Sequence, residues 1–297
     1  LNGGEQREPT TAEKLGYPAD ARLLIINADD FGMCHDENQA TIVGLTRGLF
    51  TSSTILVTCP WFEEAAEFAR NNPSSDLGVH LTLTSEWPRY KWGPVLGRKA
   101  VPSLTDSRGY LWPDVAQVFA HDRLDEVESE LRGQIEKALA GGIDVTHLDS
   151  HMGPLHLHPE YHRIYLRLAR DYRLPIRLTP RSVMRAMGMG DILDELDREG
   201  ILYPDHFVAH GPASPDQTES FWTDLIQSLR PGITEIYCHP AFAREELRGC
   251  AHDAAQREAD FLFFTSDMAR RLVRDNGVRL LGYRELRDAM RSGASAH

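Results

Sequence analysis

Short apolar runs of strand length alternate with longer amphipathic stretches along most of the 297-residue chain. Residues 23–27 predict a strand and 37–48 the helix after it; 54–58 with 61–70 and 76–83 with 115–140 repeat the pattern. Further strands are expected at 144–148, 175–178, 206–209, 234–238 and 278–281. The helices between them are expected at 158–172, 183–198, 218–229 and 253–274, with a last one from Tyr283. Roughly seven or eight β–α alternations with little hairpin signal imply a parallel sheet covered by helices. The opening strand runs into Ala28-Asp29-Asp30-Phe31-Gly32, with neither G-x-G-x-x-G nor G-x-x-x-x-G-K, so the nucleotide cradles of open sheets are missing. A (β/α) barrel with some irregularity is preferred, spanning 21–290 as one domain between a polar arm at 1–20 and a tail at 291–297.

One stretch breaks the rhythm. Residues 84–113 are rich in Pro, Gly and aromatic side chains and hold Trp87, Trp92 and Trp112, three of the five tryptophans. An irregular segment of this length is usually functional or disordered. It reads both as a flap packed onto the barrel and as a loop covering a ligand.

Composition narrows the function. The net charge of −12 disfavours a nucleic-acid partner, which needs a basic surface. No run approaches the roughly 18 apolar residues of a membrane span. Cys34, Cys59, Cys238 and Cys250 form no C-x-x-C pair and read as reduced thiols. With a polar start lacking an apolar segment, this favours the cytoplasm. Oligomeric state cannot be read.

Residues of ligand type follow several separate strands: Asp29 and Asp30, His80, then His147, Asp149 and His151, then His239, with His210 as a further case. In parallel barrels the strand C-termini share one face, where active sites are built. Alternation along an extended chain points His147, Asp149 and His151 one way, and Glu235, Tyr237 and His239 likewise. A carboxylate from the first strand and an imidazole from each of two others would make an open three-ligand site for a divalent ion. Zinc is favoured by that chemistry, with magnesium or another ion still open. Adjacent aspartates should point to opposite sides, one binding the ion and the other free as a base. Taken alone, His80 reads as a core histidine. His151 reads as a ligand, Asp149 as a carboxylate orienting an imidazole, and His147 as a supporting or substrate-binding residue.

Asn27-Ala28-Asp29-Asp30-Phe31-Gly32, Gly78-Val79-His80-Leu81, Thr146-His147-Leu148-Asp149-Ser150-His151 and Cys238-His239-Pro240 together resemble the YdjC/ChbG-type carbohydrate deacetylases. The likeness runs in order from about residue 22 to 285. It implies a deformed barrel related to polysaccharide deacetylases, one divalent ion, and release of acetate from N-acetylglucosamine units of an acetylated sugar. Carried over by motif, Asp30, His80 and His151 would bind the metal, Asp29 would be the general base and His239 the general acid. Trp87 and Trp92 would stack on sugar faces. A metal-dependent hydrolase of another amide or ester, and an inactive carbohydrate-binding protein, are the alternatives.

Overall fold

A computed structural model of the chain describes residues 9–293. Seven parallel strands form one curled sheet: β1 (Arg22–Phe31), β2 (Ser52–Ile55), β3 (Leu77–Leu81), β4 (Val145–Ser150), β5 (His206–Val208), β6 (Gly232–Cys238) and β7 (Arg279–Leu280). Their order is β4-β3-β2-β1-β6-β5, with β7 also paired to β1. β1 is the spine, ten residues long and buried from Leu23 onward. Helices occupy the connections, and their packing faces follow the helical period. In Phe62–Asn71, for example, Phe62, Ala65, Ala66, Phe68 and Ala69 are buried while Glu63 and Glu67 face outward.

The barrel is incomplete. Beyond β4, the segment expected as a strand at 175–178 makes only a bridge: Leu148 N donates to Pro175 O at 3.1 Å and Arg177 N to Leu148 O at 3.0 Å. The gap from there to β5 is spanned on the inside by the Arg177 side chain, which reaches both β1 and β6.

Three long helical patterns divide. Residues 115–140 form Val115–His121 and Leu124–Ala140; 183–198 form Arg181–Ala186 and Gly190–Glu199, separated at Gly188 with φ +76°. Residues 253–274 form Ala254–Thr265 and Asp267–Asp275, where Ser266 is extended and its hydroxyl accepts from Ala269 N, starting a new helix.

The amino-terminal segment differs from the arm expected of it. Thr10 and Glu13 form a capping box on the short helix Thr11–Lys14. The amides of Thr11 and Ala12 donate to Asp205 at 2.5 and 3.2 Å, and Ala12 is buried with Leu23, Ile233 and Tyr283. Residues 1–8 of the expected arm and 294–297 of the expected tail lie outside the described residues. Residues 84–113 are packed rather than loose. Trp92, Val101, Leu104 and Leu111 are buried, and the ends of the loop are tied by a Thr84–Trp112 bridge.

Candidate active site

Side chains that face the barrel interior stack in layers along the strand period. Asn27, His147 and Glu235 are fully buried, and Asp29, Asp30, His80, Asp149 and His151 are at most 3% exposed. Packing around His147 is tight: a Cβ on Gly78 would stand 2.7 Å from its ring.

The rim depends on a local irregularity in β1. Its register with β2 shifts between Ala28 and Phe31, and Asp30 has φ 67°. This bulge turns both aspartates toward one cavity, where regular extension would have sent them to opposite sides. The expected divergence of Asp29 and Asp30 is therefore corrected. Both carboxylates approach the same His80 Nε2, at 3.9 Å for Asp29 Oδ2 and 3.4 Å for Asp30 Oδ1.

Asp30 Oδ1 also lies 3.3 Å from His151 Nδ1, and it is buried with no hydrogen-bond partner. One oxygen of Asp30 and one ring nitrogen each of His80 and His151 all lie within 4.8 Å of one another. The far nitrogen of each ring meets a carboxylate. His80 Nδ1 is 2.5 Å from Asp149 Oδ1, its register partner on β4, and His151 Nε2 is 3.1 Å from Glu86 Oε2. That arrangement fixes which ring nitrogen faces Asp30. Burial alone would lower the pKa of His80, but Asp149, Asp30 and Asp29 raise it to about 9. Burial likewise opposes a proton on His151, and Glu86 and Asp30 overcome it, holding its pKa well above the usual range. A cluster that draws protons onto two buried imidazoles has the field to hold a cation. The donor set, one carboxylate oxygen and two imidazole nitrogens, suits a divalent ion such as zinc.

Asp29 is held differently. Arg177 donates Nη1 and Nη2 to its two oxygens, each at 2.8 Å, and Asn27 Nδ2 donates at 2.8 Å. Burial would raise the Asp29 pKa; Arg177, with His80 and His239, outweighs it and brings it to about 2. Arg177 also contacts Glu235 at 2.8 Å and Asp149 at 2.9 Å. Arg257 does the same for Asp30 Oδ2 at 3.0 Å, and also binds Glu37 and Asp253. His239, across from His80 and His151, has Nε2 3.8 Å from Asp30 Oδ2, and burial lowers its pKa.

The cavity above these groups has a volume of about 840 Å³, within the range of about 300–1,000 Å³ typical of small-molecule sites. Trp87 lines it, and its Nε1 is buried without a hydrogen-bond partner. Four of the sequence-derived residues do not line the cavity; Asp149 lies behind His80, and Trp92, His147 and His210 are held elsewhere. Trp92 donates Nε1 to Thr84 O at 2.8 Å and packs edge-on against His151, so it supports that ring from behind. His147 is stacked on Tyr283 and meets Asn27 Oδ1 at 3.2 Å, so it supports Asp29 only through Asn27. His210 turns to Phe221, on the far side of β5. Phe207 and Ala209 face the cavity, and alternation along the strand sends His210 the other way.

Four residues were missed. Glu86 sits in the aromatic loop, where attention falls on the rings. Arg177 and Arg257 are buried arginines whose partners are remote in sequence. His156 lines the cavity with both ring nitrogens unpartnered, and burial lowers its pKa to about 3. Its signal was present in the His156-Leu157-His158 run that follows His151.

The fold and this rim define a curled β/α barrel with a buried Asp-His-His cluster at the strand C-termini. Residues 23–275 match the YdjC-like protein family. The chain belongs to that family. A carbohydrate deacetylase of Enterococcus faecalis is 33% identical over 270 residues, 89% of this chain and 98% of that protein. A carbohydrate deacetylase of Thermus thermophilus is 33% identical over 284 residues, covering 94% and 98%. A crystal structure from Enterococcus faecalis, provisionally described as a cellobiose-phosphate cleavage protein, superimposes with TM-score 0.77 at 32% identity. It covers 90% of this chain and 99% of that one.

Proposed function

We propose that this protein is a metal-dependent carbohydrate deacetylase that hydrolyses the N-acetyl group of an N-acetylglucosamine-containing mono- or oligosaccharide. The observation that carries the reading is the unpartnered Asp30 Oδ1 between His80 Nε2 and His151 Nδ1, in a chain whose relatives are carbohydrate deacetylases. Asp30, His80 and His151 would hold the ion. When bound, it polarises the acyl oxygen and brings the acidity of water to a pKa of about 7.

The chain's own groups do the rest. Asp29 is ionised throughout the neutral range and held in place by Arg177; as the general base it would accept the proton of the attacking water once that water has been made more acidic by the ion. The water oxygen bonds to the acyl carbon as the carbon–nitrogen bond breaks. His239, on the other side of Asp30, delivers a proton to the departing amine. Its depressed pKa makes its protonated form a stronger acid than an ordinary imidazolium. Trp87 offers a ring and an N–H to the sugar. Acetate leaves, and the sugar keeps a free amine.

The test is acetate release from N-acetylated mono- and disaccharides, before and after chelation, with individual metals added back. Release that stops on chelation and returns with zinc or another divalent ion is expected. Unchanged release after complete metal removal would refute metal dependence, and no release from any acetylated sugar would refute the substrate.

A further inference from the structure

The cavity has two chemically opposed ends. At its floor, Asp30, His80 and His151 are 1%, 2% and 3% exposed. At its mouth stand Met152, Leu157, Val183 and Met187, exposed by 53%, 53%, 45% and 41%. Nine large hydrophobic side chains are strongly exposed among the described residues, and four of them line this one cavity. They come from two separate segments. Met152 and Leu157 flank the turn and short helix after β4, and Val183 and Met187 belong to the helix Arg181–Ala186 and its C-cap. Apolar side chains scattered singly over a surface need no explanation, whereas a contiguous patch at the edge of a polar site does.

A bare sugar does not explain it. Hydroxyls laid against four aliphatic side chains would give up water without gaining hydrogen bonds. An anionic sugar fits no better. Among the described residues lining the cavity the only arginines or lysines are Arg177 and Arg257, and each is already engaged by three carboxylates. The reacting acyl group must reach the floor, so whatever meets the apolar mouth is attached at the other end of the sugar.

We infer that the preferred substrate is a neutral N-acetylated glycoside carrying an apolar aglycone, whose alkyl or aryl group packs on Met152, Leu157, Val183 and Met187. This rests on the deacetylase reading above and narrows it to a substrate class. Burying a methylene is worth on the order of a fourfold change in an equilibrium constant, so aglycone length is a sensitive probe.

The experiment compares methyl, butyl and hexyl β-glycosides of N-acetylglucosamine on the metal-loaded protein. It reads acetate release as kcat/KM and binding by quenching of tryptophan fluorescence. From methyl to hexyl, both kcat/KM and affinity are expected to rise at least about tenfold. In the Leu157→Ser/Met187→Ser double variant the hexyl-to-methyl ratio should fall below about threefold. Each protein is its own reference, so a general loss of activity does not mimic the result. Acetate release with no dependence on chain length overturns this inference and leaves the deacetylase reading standing. Binding that tightens with chain length, without acetate release from any glycoside, supports the apolar subsite and sinks the deacetylase reading. A stable dimer in sedimentation, combined with a flat series, assigns the wall to a second copy of the chain and overturns the inference.

Discussion

Glu86 Oε2 lies 3.1 Å from Nε2 of His151, on the side of the ring opposite Asp30. Asp149 stands in the same relation to His80. Each of the two proposed histidine ligands is thus backed by a carboxylate, one from a neighbouring strand and one from the 84–113 loop. Such partners typically change metal affinity by about 10- to 100-fold. The Glu86→Gln variant should lose zinc affinity within that range while keeping its helical circular dichroism. Competition with a chromophoric chelator measures this, and unchanged affinity would remove Glu86 from the site.

His151→Ala removes one of the three proposed ligands. The metal content of the purified variant should fall to a small fraction of the parent's, and acetate release should fall with it. Elemental analysis alongside activity decides the matter, since metal bound at full stoichiometry would overturn the ligand set.

Asp29→Asn separates chemistry from binding. The amide still offers an oxygen to Arg177, and Asp30, His80 and His151 are untouched. Metal content should therefore persist while kcat drops by about 100- to 10,000-fold, the usual contribution of a positioned acid or base. Parental kcat would assign the proton transfer elsewhere.

Asp260 gives stability a pH dependence away from the cavity. It is buried and accepts from Trp222 Nε1 at 2.8 Å. Burial raises its pKa to about 6 against the partial offset of Trp222 and Gln256. Below about pH 4 the carboxyl is neutral in both states. Between about pH 4 and 6 the unfolded chain ionises first, so the folded state loses relative stability, and above that window the loss is complete. The Asp260→Asn variant does not titrate at this position. Its stability relative to the parent should improve by roughly 1–3 kcal/mol between pH 4 and 7. Denaturant midpoints at the two pH values test this, and a constant difference would show that Asp260 ionises as it would in the unfolded chain.

Much of the barrel was legible because its strands are apolar runs closed by polar residues of ligand type. Asp30 and His151 stand out as strand-end residues of ligand type, whereas His80 alone reads as a core histidine and joins them only through the family resemblance. What escaped depended on direction. A bulge cannot be read from Ala28-Asp29-Asp30-Phe31, so the two aspartates were sent to opposite sides when the structure turns both inward. His210 occupied the right end of a strand but the wrong parity. Arg177 and Arg257 escaped because a lone arginine reads as a solvated charge until its partners are known. Here those partners lie 148 and 227 residues away at Asp29 and Asp30. The long helical patterns divided at Gly188 and Ser266, where backbone and capping preferences outrank amphipathic period.

The left-handed backbone at Asp30 also limits how this barrel can be re-engineered. Apart from glycine, only short polar residues such as aspartate and asparagine settle comfortably at φ 67°. Lengthening the acid to glutamate would add a conformational cost of about 1–2 kcal/mol before any ion is met. Tuning the centre toward a larger or harder cation would therefore have to begin at positions 80 and 151, leaving the acidic corner as the fixed reference of the design.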